Sequence, residues 1–172
     1  ELIQCDISDE TATTIAMAQA WQRHGQIDIL ISNAGSGYQS EFTSAKPNQI
    51  RDEVNTNILG MYNVVLPMAK RMKSKQSGLI VIVSSLMGRL ASPTWSTYGA
   101  TKAAQLNFSK SLRSELQKFG VNVSVLMPPL VQTDMTKDIV KHSLALTCTM
   151  QKLTSSLRSK AMKNKDMLFH WS

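Results

Sequence analysis

The sequence holds little cysteine: Cys5 and Cys148 are the two in 172 residues. Two cysteines provide no disulfide framework, so the expected compartment is a reducing, intracellular one, cytoplasmic or membrane-associated. Apolar residues make up 42% of the chain, yet no run of them is long enough to cross a bilayer. The start carries neither an initiator Met nor a targeting segment. Glu1 opens directly on an apolar run, as a chain entered in its middle would. His24, His142 and His170 lack metal-ligand spacing, so no metal is expected. Internal repeats and low-complexity linkers are also missing, which leaves one domain with residues enough to bury a sizeable core.

The charge is unevenly placed. Residues 1–135 carry twelve Lys/Arg against ten Asp/Glu, and residues 136–172 carry seven against two, so most of the net +7 belongs to the tail. The expected division is therefore a catalytic domain over 1–135 and a basic, cap-like or irregular tail over 136–172. Such a tail suits contact with an anionic membrane surface, although solvated or frayed tails are commoner. No nucleic-acid partner is expected.

Short apolar segments alternate with helical ones. Leu2–Ile7 reads as a strand and Ser8-Asp9-Glu10 as the cap of a helix that stops at Gly25. Ile27–Ile31 reads as the next strand, Pro47 to about Lys75 as one long helix, and Leu79–Val83 as a buried strand. A helix through Tyr98 to about Lys118 and a strand over Val121–Met127 follow, with no convincing strand beyond Leu153. This alternation indicates a parallel sheet with crossover helices. Met61, Val64, Val65, Met68 and Met72 recur at helical spacing, as core or as a subunit contact. Lys70, Arg71, Lys73 and Lys75 read as a solvated helix end.

The chemistry concentrates between Ser84 and Lys102. An apolar strand leads through a Gly/Ser/Pro loop into a helix bearing Tyr98 and Lys102. Residues four apart share a helical face, so the Lys102 ammonium is expected beside the Tyr98 phenol, lowering its pKa from about 10. A serine at the strand end could hold the same substrate oxygen. Met87, Leu90, Ala91, Pro93 and Trp95 suit an apolar pocket wall or the core.

With Ser85 thirteen residues before Tyr98, this pattern resembles the short-chain dehydrogenase/reductases, NAD(P)-dependent enzymes of Rossmann fold whose signature is Tyr-x-x-x-Lys with an upstream Ser. The resemblance implies an α/β, Rossmann-like doubly wound parallel sheet with helices on both faces, N-terminally incomplete. It implies Asn57, Ser85, Tyr98 and Lys102 as catalytic residues, Asn57 through a carbonyl-held water linked to the lysine. It assigns cofactor contacts to Asp6 and Ile7, to Asn33, Ala34 and Gly35, to Tyr98 and Lys102, and to Pro128, Val131 and Thr133. Asp6 could equally cap the next helix, and Asn33-Ala34-Gly35 could be an ordinary turn. Pro129 stands where the family has Gly; it lacks an N–H and cannot take positive φ, so a repositioned loop is expected there.

The family's Gly-x-x-x-Gly-x-Gly fingerprint, which cradles the dinucleotide phosphates, is missing from these residues. The first strand then corresponds to the family's third, which leaves it without a neighbour and exposes one edge of the fourth. A piece of a longer protein, a truncated gene model and a degenerate copy all fit this. NAD and NADP cannot be told apart, because that choice is made after a strand not seen here. The leading expectation is reversible hydride transfer between nicotinamide and a carbonyl/alcohol substrate, steroid, retinoid or lipid-like, by a homo-oligomer joined through helices 47–75 and 97–118. The alternative is an inactive remnant acting as an interaction module.

Overall fold

The computed structural model describes residues 2–129 together with the backbone of 167–169. Helix α1, Glu10–His24, begins where the Asp9 carboxylate accepts the Ala12 N–H at 2.9 Å. It ends at Gly25, whose N–H returns to the Trp21 carbonyl. Strand β1, Ile29–Ser32, is buried along its whole length. Helix α2, Pro47–Val54, starts with proline at a position where no N–H is needed. Helix α3, Met61–Lys75, continues its direction. Strand β2, Gly78–Val83, leads through a 3₁₀ turn at Leu86–Gly88 to helix α4, Ser96–Leu116, and then to strand β3, Val121–Leu126.

The expected single helix over 47–75 is interrupted. Asn55–Gly60 forms a π-helical turn between α2 and α3. Such a turn shifts the backbone hydrogen-bond register and is frequent at functional sites.

The sheet is parallel throughout, in the order β3-β2-β1-β4, where β4 is Met167–Phe169. On one face Leu30, Ile80, Ile82, Val121 and Val123 pack against Met61, Val64, Val65, Met68 and Met72 of α3. Leu112 and Leu116 of α4 and Met17 and Ala20 of α1 complete this cluster. The methionine stripe is therefore core. Each such side chain, fully buried, contributes about 1.5–3 kcal/mol. The other face buries Ile29, Ile31, Val81 and Val83, so both faces of the sheet are covered, as in a doubly wound fold.

Two expectations are corrected. Leu2–Ile7 is not a strand: no neighbouring strand among the described residues pairs with it, and a strand exists only through its ladder. A last strand does exist, since Met167–Phe169 pairs in register with Ile29–Ile31. It covers the β1 edge that was expected to lie open. The cations ending α3 lie at the surface as expected, with Lys70, Lys73 and Lys75 exposed, and they also meet aromatic rings. Arg71 and Lys75 lie over the Trp21 ring at 4.8 and 5.1 Å, and Lys73 lies over Phe119 at 4.3 Å.

Gly120 closes the turn into β3 at φ 70°, and a Cβ there would collide with the Gln76 carbonyl oxygen. Gly120→Ala is expected to cost about 2 kcal/mol or more, from left-handed strain plus displaced backbone. A drop in the urea midpoint measures it; an unchanged midpoint would show that the turn relaxes freely.

Candidate active site

Three loops meet beyond the carboxyl ends of β1 and β2, where parallel α/β sheets place their ligands. The first follows β1 and carries Asn33, Ala34 and Gly35. The second follows β2 and carries Ser84 and Ser85. The third is the short stretch before α4, the helix that delivers Tyr98, Thr101, Lys102 and Gln105.

Ser84 and Ser85 separate cleanly. Ser84 is buried and its hydroxyl donates to the Lys102 carbonyl oxygen at 2.8 Å, tying β2 to α4. Ser85 accepts the Met87 N–H at 3.2 Å and hydrogen-bonds the Tyr98 phenol. Trp95 is core rather than an open wall: it is buried and meets Tyr98 edge-on, ring centroids 5.5 Å apart. Leu86 and Leu90 are the exposed apolar side chains of that loop.

Lys102 is 3% exposed, and its Nζ donates to the Val83 carbonyl oxygen at 3.1 Å. The ammonium lies 5.5 Å from the Tyr98 ring centroid. Gly35 makes room for it: a Cβ at that position would stand 3.3 Å from Nζ and 3.1 Å from Asn57 Oδ1.

The expected acidification of Tyr98 by Lys102 is not found. Burial raises the phenol above its ordinary value; the Ser85 hydrogen bond opposes this, and the Glu53 charge adds to it. Burial also pushes Lys102 down to about 8, and a partly neutral amine has less charge with which to favour phenolate.

Lys102 gives stability a sign that can be tested. Its folded-state pKa, about 8, lies below the ordinary 10.5. Between these values the folded chain binds fewer protons than the unfolded chain, so stability rises with pH through that window. Tyr98, shifted upward, opposes this only above about pH 10. Between about pH 7.5 and about pH 9.5, a gain of roughly 1.5 kcal/mol is expected in urea unfolding, and none in Lys102→Met. The same gain in both chains would show that another group is responsible.

Asn57 lies in the π-helical turn and is fully buried. Its Oδ1 accepts the Ser36 N–H at 2.9 Å, and its Nδ2 donates to the Ser36 carbonyl at 2.9 Å and to Thr101 Oγ1 at 3.0 Å. The carbonyl oxygen of Asn57, expected to hold a water, accepts Gln105 Nε2 at 2.7 Å. Gln105 was missed from the sequence. A polar residue three after the lysine, on the face that packs inward, was the available signal.

Asp6 and Ile7 lie apart from this cluster. The Asp6 carboxylate is exposed and accepts from the Ser8 N–H and hydroxyl at 2.9 and 2.8 Å, which holds it below the usual carboxylate range. The helix cap weighed for it from the sequence is supplied by Asp9 instead, and Asp6 closes the turn before the helix. Ile7 is core, and its carbonyl accepts Asn63 Nδ2. Pro128 is placed by its carbonyl, which accepts the Leu86 N–H at 3.1 Å, and Pro129 is exposed. Val131 and Thr133 lie outside the described residues, as does the basic tail to residue 166. Among the described residues no group of three or more His, Cys, Asp or Glu could hold a metal, and no helix is long and apolar enough to cross a membrane.

This arrangement of a phenol, a serine hydroxyl and a buried amine can pass a proton to an oxygen and hold that oxygen in place. Known proteins resemble this chain in sequence and in fold. A family model described as short chain dehydrogenase matches residues 1–144. Dehydrogenase/reductase SDR family member 7B of Danio rerio is 30% identical over 163 residues, which cover 95% of this chain and 53% of that protein. A solved structure, ElxO with NADP bound, aligns with a TM-score of 0.85 at 24% identity over 98% of this chain and 73% of that one. A gluconate 5-dehydrogenase from Burkholderia cenocepacia, in complex with NADP and tartrate, aligns at 0.77 and 26% identity over 80% of this chain and 54% of that one. The chain thus spans about half the length of the first of these relatives. By its sequence match over residues 1–144, set on a parallel sheet with the Ser-Tyr-Lys cluster at its carboxyl ends, the chain belongs to the short chain dehydrogenase family.

Proposed function

We propose that this chain carries the acid–base and nicotinamide-facing part of an NAD- or NADP-dependent oxidoreductase that interconverts a carbonyl and an alcohol. The observation that carries the reading is the Ser85–Tyr98 hydrogen bond with the Lys102 amine anchored beside it. The residues present fit the nicotinamide-ribose half of such a cofactor. Lys102 Nζ and Asn57 Oδ1 stand close against the backbone of Gly35, and Ser36 Oγ is buried with no partner among the described residues. The relative solved with NADP and tartrate supports this choice of cofactor. When bound, the nicotinamide ring would supply or accept the hydride.

The protein's own part is proton transfer and orientation. Tyr98 gives its phenolic proton to the carbonyl oxygen in reduction and takes it back in oxidation. Ser85, already bonded to that phenol, holds the same oxygen in line. Lys102 sits within reach of the ribose and of the phenol. Asn57 fixes the loop after β1 through both Ser36 bonds. Leu86 and Leu90, exposed at the rim, favour an apolar substrate of steroid, retinoid or lipid type. Val54, Leu59 and Leu66 are likewise exposed, and Tyr62 stacks edge-on with Phe108 at 4.9 Å, which supports association through α3 and α4.

A panel of apolar ketones offered with NADH and NADPH, to a form of the protein that binds either cofactor, tests the reading. Ser85→Ala is expected to reduce turnover about a hundredfold. Ser84→Ala should act on stability, because its hydroxyl bonds backbone. Equal losses of turnover would remove the distinction. A second reading, an interaction module without turnover, is favoured by Pro129 in the loop where the family has Gly. It would show as folded protein that self-associates and is inert toward every ketone with either cofactor.

A further inference from the structure

Glu53 is buried as deeply as Lys102, at 2% exposure, yet the proton-transfer scheme does not use it. Its Oε1 accepts the Tyr38 N–H at 2.7 Å. Asn57, four residues on and so on the same helical face, accepts and donates at Ser36. Two side chains of one helix therefore bind the main chain of one loop at alternate residues. The far end of that loop is held as well. The Ser40 N–H donates to the Thr94 carbonyl at 2.9 Å, and Gln39 Nε2 donates to Thr94 Oγ1 at 3.1 Å. Thr94 takes φ 65°, a left-handed conformation that a β-branched residue adopts only when its surroundings impose it. Two residues later α4 begins, and with it Tyr98. Tyr38, Ser40, Glu53, Thr94, Ser96 and Thr97 line a shallow cleft between these segments.

We propose that Glu53 is a positioning residue of the active site: it clamps the loop after β1 at Tyr38 and sets a fixed negative charge beside the Tyr98 phenol. The catalytic consequence rests on the oxidoreductase reading; the clamp and the charge do not. A clamp alone needs no charge, since a glutamine oxygen would accept the same N–H, and a buried carboxylate is costly. Burial indeed raises Glu53 itself, with the Tyr38 N–H opposing. The ionisable groups facing it are Asp52 on its own helix, Tyr38 from the loop and Tyr98 from α4. Tyr38 is tied up separately, its hydroxyl donating to Asp52 Oδ2 at 2.9 Å. Burial is the larger cause that holds Tyr98 above its ordinary value, and the Glu53 charge adds to it, disfavouring phenolate and helping to keep the proton donor loaded.

The test uses the 172-residue chain with ¹³C-labelled tyrosine, so that neither turnover nor cofactor is needed. Glu53→Gln keeps the acceptor and removes the charge: Tyr98 should titrate at lower pH, and exchange of the Tyr38 amide should stay within twofold. Glu53→Leu removes both, and that exchange should rise at least tenfold. An unshifted Tyr98 titration in Glu53→Gln, or unchanged exchange in Glu53→Leu, overturns the proposal. If Glu53→Leu does not fold, wild type decides: the Tyr38 amide shift must follow the Glu53 titration with the same midpoint, and a different midpoint overturns the clamp. A form of the protein that binds cofactor and shows these shifts, yet is inert toward every ketone, would refute the oxidoreductase reading alone.

Discussion

Tyr98→Phe is expected to lower carbonyl turnover about a thousandfold, within the range that positioned acid–base groups contribute, while leaving cofactor affinity within a few fold. The change deletes one oxygen from a half-buried ring. The edge-on contact with Trp95 remains, so the helix keeps its packing. Ser85 loses its partner but still accepts the Met87 N–H. Lys102 keeps its bond to the Val83 carbonyl, so the ribose-facing group stays in place. Lys102→Ala, by contrast, should damage turnover and cofactor affinity together. The measurement is kcat and KM for a reducible ketone beside Kd for the cofactor, in any form of the protein that turns over. Near-normal reduction by Tyr98→Phe would place the proton donor elsewhere.

The 172-residue chain alone is expected not to bind NAD(H) or NADP(H) measurably by isothermal titration. Dinucleotide affinity comes largely from main-chain N–H groups of a glycine-rich turn and the helix start after it. The one short glycine pair here, Gly35-Ser36-Gly37, cannot replace that cradle. The Ser36 N–H is taken by Asn57 Oδ1 and the Tyr38 N–H by Glu53, so the loop has already spent these donors inside the protein. The contacts proposed at Gly35, Tyr98 and Lys102 would serve the other end of the cofactor. Micromolar binding would overturn this and would mean that the loop releases its internal bonds to hold phosphate.

Much of the fold was legible because period and capping are local. Asp9 and Gly25 marked the ends of α1, and the apolar run at 79–83 marked a strand buried on both faces. The motif spacing also located Ser85, Tyr98 and Lys102, since a four-residue interval on a helix fixes which side chains share a face. Leu2–Ile7 misled for the opposite reason. An apolar extended segment is a strand only if a neighbour completes its ladder, and sequence pattern carries no record of the neighbour. The strand at 167–169 is the converse: three residues with weak propensity become a strand because the β1 edge offers them hydrogen bonds.

The sequence by itself thus determined the class of fold and marked Ser85, Tyr98 and Lys102 as candidates for its chemistry. Each of these depends on residue type and short spacing along one element. Only the tertiary structure showed the π-helical break at Asn55–Gly60, the buried bonds of Glu53 and Gln105, and burial raising Tyr98 rather than a neighbour lowering it. Those outcomes depend on burial and on contacts between residues far apart in the chain, such as Gln105 with Asn57 and Glu53 with Tyr38. A charge buried by packing has its ionisation set by the surrounding medium, and that medium exists only once the chain has folded.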